Sequence, residues 1–287
     1  MQENYNTLMH DVVFKESFAN EHNRRPLESL LENLLNLSKG SLHGKLTVAY
    51  ESQIGKNKID EKASRTDIVI DFDDVVVDLE AYTYLDEASV DKSTFYVMKL
   101  SASRLVRGMK YEDLKVVQYN FVDNVNVNIG PDIINQFHLV HSKYPEIRIA
   151  EDKLNINYIR IDKVRELGYN ENELMKWLRF IAAKSYEERV AIAEGEEMFM
   201  EFNEWIDNYV NDDITKEALA KWNKEIEENK HVKIAREQGI EIGREQGIEQ
   251  RNKEIAKSML KRGYSINEIA EISGLTMEAI NDLKEDK

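Results

Sequence analysis

The stretch that decides the fold runs Arg65-Thr-Asp67-Ile-Val-Ile-Asp71-Phe-Asp73-Asp74-Val-Val-Val-Asp78-Leu-Glu80-Ala-Tyr82. Two β-branched runs, Thr66–Phe72 and Val75–Tyr82, flank an Asp73-Asp74 pair, the spelling of a hairpin with a two-residue loop. If Asp73 and Asp74 form the loop, Phe72 pairs with Val75, Ile70 with Val77, Ile68 with Leu79, Asp67 with Glu80 and Arg65 with Tyr82. Residues two apart on a strand share a face, so Asp78, Glu80 and Tyr82 line one side, and Val77, Leu79, Ile68 and Ile70 line the other, expected to be the core.

Two carboxylates opposite each other across a strand pair repel, and a divalent cation relieves the repulsion. Oxygen-only ligands suit a hard ion, so the pair Asp67 and Glu80 predicts Mg²⁺ or Mn²⁺, with water and a substrate phosphate completing the shell. A solvated acidic hairpin surface in an acid-rich chain has the same spelling, and spacing alone leaves that alternative open.

Working outward, leucines at 27, 30, 31, 34 and 35 give Tyr5–Leu37 a helical stripe. Strand-like segments follow at Lys45–Ser52, at the hairpin, at Lys115–Asp123 and at Asn155–Asp162, with a helix over Lys92–Gly108. That helix is expected to bury Phe95, Met98, Ala102, Leu105 and Met109 and to leave Lys99, Arg104, Arg107 and Lys110 on other faces, as a DNA-phosphate contact or equally as a solvated surface. The pattern is α/β to about residue 165. Beyond it, Leu174, Trp177, Leu178 and Ile181 open a helical region.

An eight-residue near-repeat, Arg236-Glu-Gln-Gly-Ile-Glu-Ile-Gly then Arg244-Glu-Gln-Gly-Ile-Glu-Gln, puts glycines at 239, 243 and 247. Each interior glycine weakens a helix, so the repeat predicts a charged connector, with a homotypic helix contact and a homodimer as the sharper alternative. The tail carries Ser265 three residues before Glu268 and Gly274-Leu-Thr276, the outline of a helix-turn-helix. Its last helix offers Glu278, Asn281 and Asp282 where a DNA reader needs cations, which favours a protein contact there. The expected division is therefore 1–165, 166–232, 233–252 and 253–287.

The 287 residues carry a formal charge of −15, which argues against a protein coated in nucleic acid and restricts any DNA contact to a local patch. There is no cysteine, so disulfides, thiol catalysis and thiolate zinc sites are excluded. No run reaches the length needed to span a bilayer and no leader pattern opens the chain, so a cytoplasmic protein with no membrane partner is expected. His138-x-x-His141 lacks zinc-protease spacing, and the Gly239–Gly247 stretch follows no strand, which removes a dinucleotide fingerprint.

Several stretches in order resemble the Rpn-type recombination-promoting nucleases, the PD-(D/E)XK nuclease family transposases. They are Asp11-Val-Val-Phe14-Lys15-Glu-Ser-Phe18, then Lys62-Ala-Ser-Arg65-Thr-Asp67-Ile68, then Leu79-Glu80, then Gly108-Met-Lys-Tyr111-Glu-Asp-Leu114. The resemblance implies a restriction-endonuclease-like core, a central mixed sheet flanked by helices, followed by the helical C-terminal region. It further implies a metal-dependent DNA endonuclease linked to recombination or mobile elements, with Asp67 and Glu80 as metal ligands. Tyr82 stands where that family's E-x-[KQ] signature has a polar residue, leaving Arg65 as the nearest cation in the hairpin register and Lys62 as a more distant substitute. A catalytically impaired member that binds DNA or a protein partner is the alternative reading.

Overall fold

The computed structural model describes residues 7–50, 53–54, 64–65, 67–104, 110, 114–148, 153–170, 172–221, 224, 247–248 and 250–285. Helix α1 (Asp11–Ala19) and helix α2 (Arg24–Leu34) are separated by a short 3-10 turn at Glu21–Asn23. The segment read as one helix is thus divided in two, because Asn20 leaves the helical region and its side chain accepts the His22 N–H, while the leucine stripe stays within α2 and its C-cap. Strands β1 (Thr47–Tyr50), β2 (Gln53–Ile54), β3 (Ser64–Arg65), β4 (Ile68–Phe72) and β5 (Val75–Tyr82) follow, then α3 (Glu87–Arg104). Strands β6 (Lys115–Val122), β7 (Ile134–Phe137) and β8 (Leu154–Arg160) complete the sheets, and α4 (Ile161–Val164), α5 (Glu173–Ala182), α6 (Tyr186–Ala193) and α7 (Glu197–Asn211) come after them.

The main sheet has the order β1-β4-β5-β6-β8-β7. Its centre is parallel, β5 with β6 and β6 with β8, and its flanks are antiparallel. The hairpin has the register expected from the two-residue loop: Ile68 opposite Leu79, Ile70 opposite Val77 and Phe72 opposite Val75. Asp73 takes a positive φ of 46°, the left-handed conformation that so tight a loop demands and that Asp tolerates. The parallel partner of the hairpin is fixed at the loop as well, since the Lys115 N–H donates to Asp74 O at 3.0 Å.

Both faces of the sheet are covered by helices, as the expected mixed sheet flanked by helices requires. On one side Phe14 of α1 packs on Phe121 of β6 with ring centroids 5.4 Å apart, and Phe18 meets Phe202 at 5.4 Å and Trp177 at 6.5 Å. On the other, α3 lays Ser93, Tyr96, Val97 and Leu100 against the sheet, with Val69, Val76, Leu114 and Val116 in the same apolar cluster. The expected α3 stripe is rotated: Phe95 and Met98 are 47% and 49% exposed. A serine at 93, rather than a large apolar residue, faces the sheet because the strands beneath it carry polar side chains.

Residues 1–216 form one compact unit and 217–287 another. Helices α5, α6 and α7 therefore belong to the same unit as the sheet. Trp177 ties them in, its ring tilted against Phe199 with centroids 4.4 Å apart and its indole N–H donating to Ser29 Oγ at 3.0 Å. In the second unit, a helix at 250–261 and the helices Ile266–Ser273 and Met277–Glu285 enclose Ala256, Ile269 and Ile280. Ser265 and Glu268 form the expected capping box, and Gly274 ends the helix at φ 68°. Most of the glycine repeat lies outside the described residues. Among the described residues no helix is long and apolar enough to cross a membrane.

Candidate active site

The carboxyl ends of β5 and β6 and the entry to β4 meet at one edge of the sheet, the place where open α/β sheets bind ligands. Glu80 lies near the end of β5, and Asp67 immediately precedes β4. The two are laced together by backbone: the Asp67 N–H donates to Glu80 Oε1 at 3.1 Å, and the Ala81 N–H donates to Asp67 Oδ2 at 3.2 Å. The pairing of 67 with 80 read from the loop is thus realised through two backbone-to-carboxyl bonds just beyond the last regular pair of the ladder.

These acids are not a solvated surface. Asp78 is 0% exposed, Glu80 1% and Asp67 9%. Burial raises all three carboxyls, and each is raised further by a neighbouring acid: Asp67 by Asp11, Asp78 by Asp67, and Glu80 by Asp67 and Asp78. For Asp78 the result is about 7. Its Oδ2 accepts a 2.8 Å bond from Gln118 Nε2, while its Oδ1 is buried with no hydrogen-bond partner among the described residues.

The sequence reading missed the residue that compensates this charge. Lys15 projects from α1 with Nζ 3.0 Å from Asp67 Oδ1 and 2.9 Å from Asp11 Oδ1, and its side chain is only 13% exposed. Burial pulls its pKa down, but Asp67 and Asp11 outweigh burial and hold the ammonium above its ordinary range. Asp67 feels opposing influences, burial against Lys15. The 3.0 Å contact sets the ammonium directly against the carboxyl that burial and Asp11 raise. The signal was present as an Asp-x-x-x-Lys spacing, Asp11 to Lys15, on one helix face.

Beneath the acids a polar layer links β5, β6, β8 and α3. Ser93 Oγ lies 2.8 Å from Gln118 Oε1 and 3.1 Å from Asn120 Oδ1, Asn120 Nδ2 donates to Asn157 O at 3.2 Å, and Asn157 Nδ2 donates to Gln118 O at 3.0 Å. A layer so bonded fixes Asp78 and holds the strand ends in place, because each member left without its partner would carry a desolvation cost.

The remaining site expectations separate. Tyr82 is buried beside Glu80, its hydroxyl has no hydrogen-bond partner among the described residues, and burial together with Glu80, Asp67 and Asp78 pushes its pKa well above the usual phenol value. It is a neutral phenol and cannot accept a proton. Arg65 does not continue the hairpin register opposite Tyr82: its backbone pairs with Gln53 in a separate two-stranded sheet, since β4 starts only at Ile68. Lys62 and Arg107 lie outside the described residues. Arg104 is bound to Asp71 at 2.8 Å, at the far end of β4 from Asp67. Lys99 sits 5.9 Å from the Phe95 ring, and Lys110 is exposed. The α3 cation at the site is instead Lys92, with Nζ 5.9 Å from the Tyr82 ring centroid and 5.1 Å from that of Tyr96.

Among the described residues no three His, Asp or Glu side chains are grouped to hold a metal ion. The donor set nonetheless fits a hard cation. Asp67 and Glu80 are oxygen donors each bonded to backbone next to the other, and Glu80, raised by burial, Asp67 and Asp78, would be relieved by positive charge. Two carboxylates completed by water and phosphate are the usual way in which Mg²⁺ is bound.

Compared with known families, residues 8–237 match the model of the PD-(D/E)XK nuclease family transposases. The chain belongs to that family. Membership accounts for the mixed sheet flanked by helices and supports a nuclease-type function, and the matched span contains Asp11, Lys15, Asp67 and Glu80. Neither the curated proteins nor the solved structures gave a match.

Proposed function

We propose that this PD-(D/E)XK protein is a DNA endonuclease that needs a divalent cation, Mg²⁺ or Mn²⁺, held by Asp67 and Glu80, and that it acts in recombination or mobile-element biology. The observation that carries this reading is the reciprocal lacing of Asp67 and Glu80, two buried acids from neighbouring strands kept adjacent against their mutual repulsion. Proteins retain such a conflict where a site needs it.

When bound, the cation would polarise the scissile phosphate and lower the pKa of an attacking water. The chain's own residues divide the rest. Asp67 and Glu80 hold the cation, and the Asp67 N–H and Ala81 N–H keep the two carboxylates from turning away from each other. Lys15, fixed by Asp11, places a permanent positive charge beside Asp67, where it can stabilise charge developing on a phosphate. Lys92, exposed at the α3 end over Tyr82, is the cation positioned to meet the DNA backbone at this edge of the sheet. Tyr82, neutral and buried, packs the site and neither donates to nor accepts from the ligand set.

The test is nicking of supercoiled plasmid by the full chain in EDTA, Mg²⁺ and Mn²⁺, alongside Glu80→Gln. Nicking that requires metal and is lost in Glu80→Gln supports the proposal. DNA binding without nicking in any metal would favour the catalytically impaired reading, for which the specific observation is that Tyr82 cannot act as a base.

A further inference from the structure

Lys15 is an unusual neighbour for a metal ligand, because its ammonium is held against the carboxylate that a cation would need. Nζ is 3.0 Å from Asp67 Oδ1 and is also bonded to Asp11, one helical turn earlier in α1, at 2.9–3.0 Å. Phe14 and Phe18 bury the helix on the sheet side, so α1 cannot swing away to withdraw the lysine. A divalent ion beside Asp67 therefore sits within a few ångströms of a fixed positive charge in a site with little water to screen it. A phosphate arriving at the same place meets two attractive charges.

Resting on the proposed metal-dependent nuclease, we infer that Lys15 couples metal binding to DNA binding. Alone, the ion competes with the ammonium for Asp67 and binds weakly. With a phosphodiester present, the added negative charge offsets the ammonium and the ion binds tightly. Lys15 is thus a positioning residue that holds the acids ready without metal and keeps the site from loading before substrate arrives. Asp11 serves as its second anchor, retaining the lysine when Asp67 turns its charge to the ion. Linkage requires the effect to be reciprocal, so metal strengthens DNA binding by the same factor.

The experiment measures free Mn²⁺ by electron paramagnetic resonance in titrations of the full chain at about pH 8, with and without a short DNA duplex. Lys15→Met and Lys15→Gln remove the charge, the latter keeping hydrogen bonds to both acids if the former folds poorly, and Lys15→Arg restores it. Without duplex, Mn²⁺ affinity in the neutral variants is expected to rise about tenfold, and the duplex-induced gain seen in the parent chain to shrink by about the same factor. Lys15→Arg should behave like the parent. If the parent chain binds Mn²⁺ but neither neutral variant binds it more tightly without duplex, Lys15 is only a structural strut and the inference fails while the nuclease reading stands. If the parent chain binds no Mn²⁺ with or without duplex, both fail together.

Discussion

Replacing Asp78 by asparagine tests the electrostatics of the site without touching a proposed ligand. In the native chain burial lifts this carboxyl from 3.8 to about 7, despite the bond from Gln118. The native state therefore holds the proton more tightly than the unfolded chain does. The stability this contributes is full below the ordinary carboxylate pKa and is lost as the pH rises toward 7. Between about pH 5 and about pH 8 the loss amounts to about 3 kcal/mol for Asp78 alone, a large share of the stability of a typical domain. Asparagine keeps an oxygen to accept from Gln118 and has no charge to lose, but it buries an amide where Asp78 Oδ1 has no partner, at a cost of about 1–3 kcal/mol. The variant should be no more stable than the parent at the acid end and gain on it by about 3 kcal/mol toward the alkaline end. Urea unfolding in EDTA, followed by fluorescence of the buried Trp177, measures this directly. A difference between variant and parent that does not change with pH would refute the reasoning.

Three further outcomes follow from the geometry. Tyr82→Phe removes an unpartnered buried hydroxyl and should leave metal-dependent nicking within about threefold while stabilising the fold slightly, by up to about 1 kcal/mol; a large loss of nicking would show that the phenol takes part. Lys92→Ala should weaken duplex binding in a gel-shift assay and reduce the salt slope by about one unit, equally for unrelated sequences. Phe18→Ala should cost about 3–5 kcal/mol in urea unfolding, because its ring joins α1 to Trp177 and Phe202 and its removal leaves a cavity.

The hairpin was legible because a two-residue loop leaves one register, and that register fixes which side chains share a face. From it came the adjacency of Asp67 and Glu80, and the β-branched runs around it gave β4, β5, β6 and β8 to within about two residues. What escaped was set by tertiary packing. Lys15 is about fifty residues from Asp67 in sequence, and only the docking of α1 through Phe14 and Phe18 brings them together. The rotation of α3 was hidden because the strands beneath it are polar: Gln118 and Asn120 call for Ser93, so the apolar spacing of Phe95 and Met98 marked the exposed face. Strand β7 is four residues, Ile-Asn-Gln-Phe, too short to show a period. Arg65 failed for a related reason, since extending a register past the last ladder pair assumes that the strand continues.

The most direct test of the site is anomalous diffraction from crystals of the full chain soaked in Mn²⁺. One strong peak is expected within about 2–2.5 Å of a carboxylate oxygen from each of Asp67 and Glu80, absent in Glu80→Gln. No peak there, or a peak that persists without Glu80, would contradict the proposed metal site.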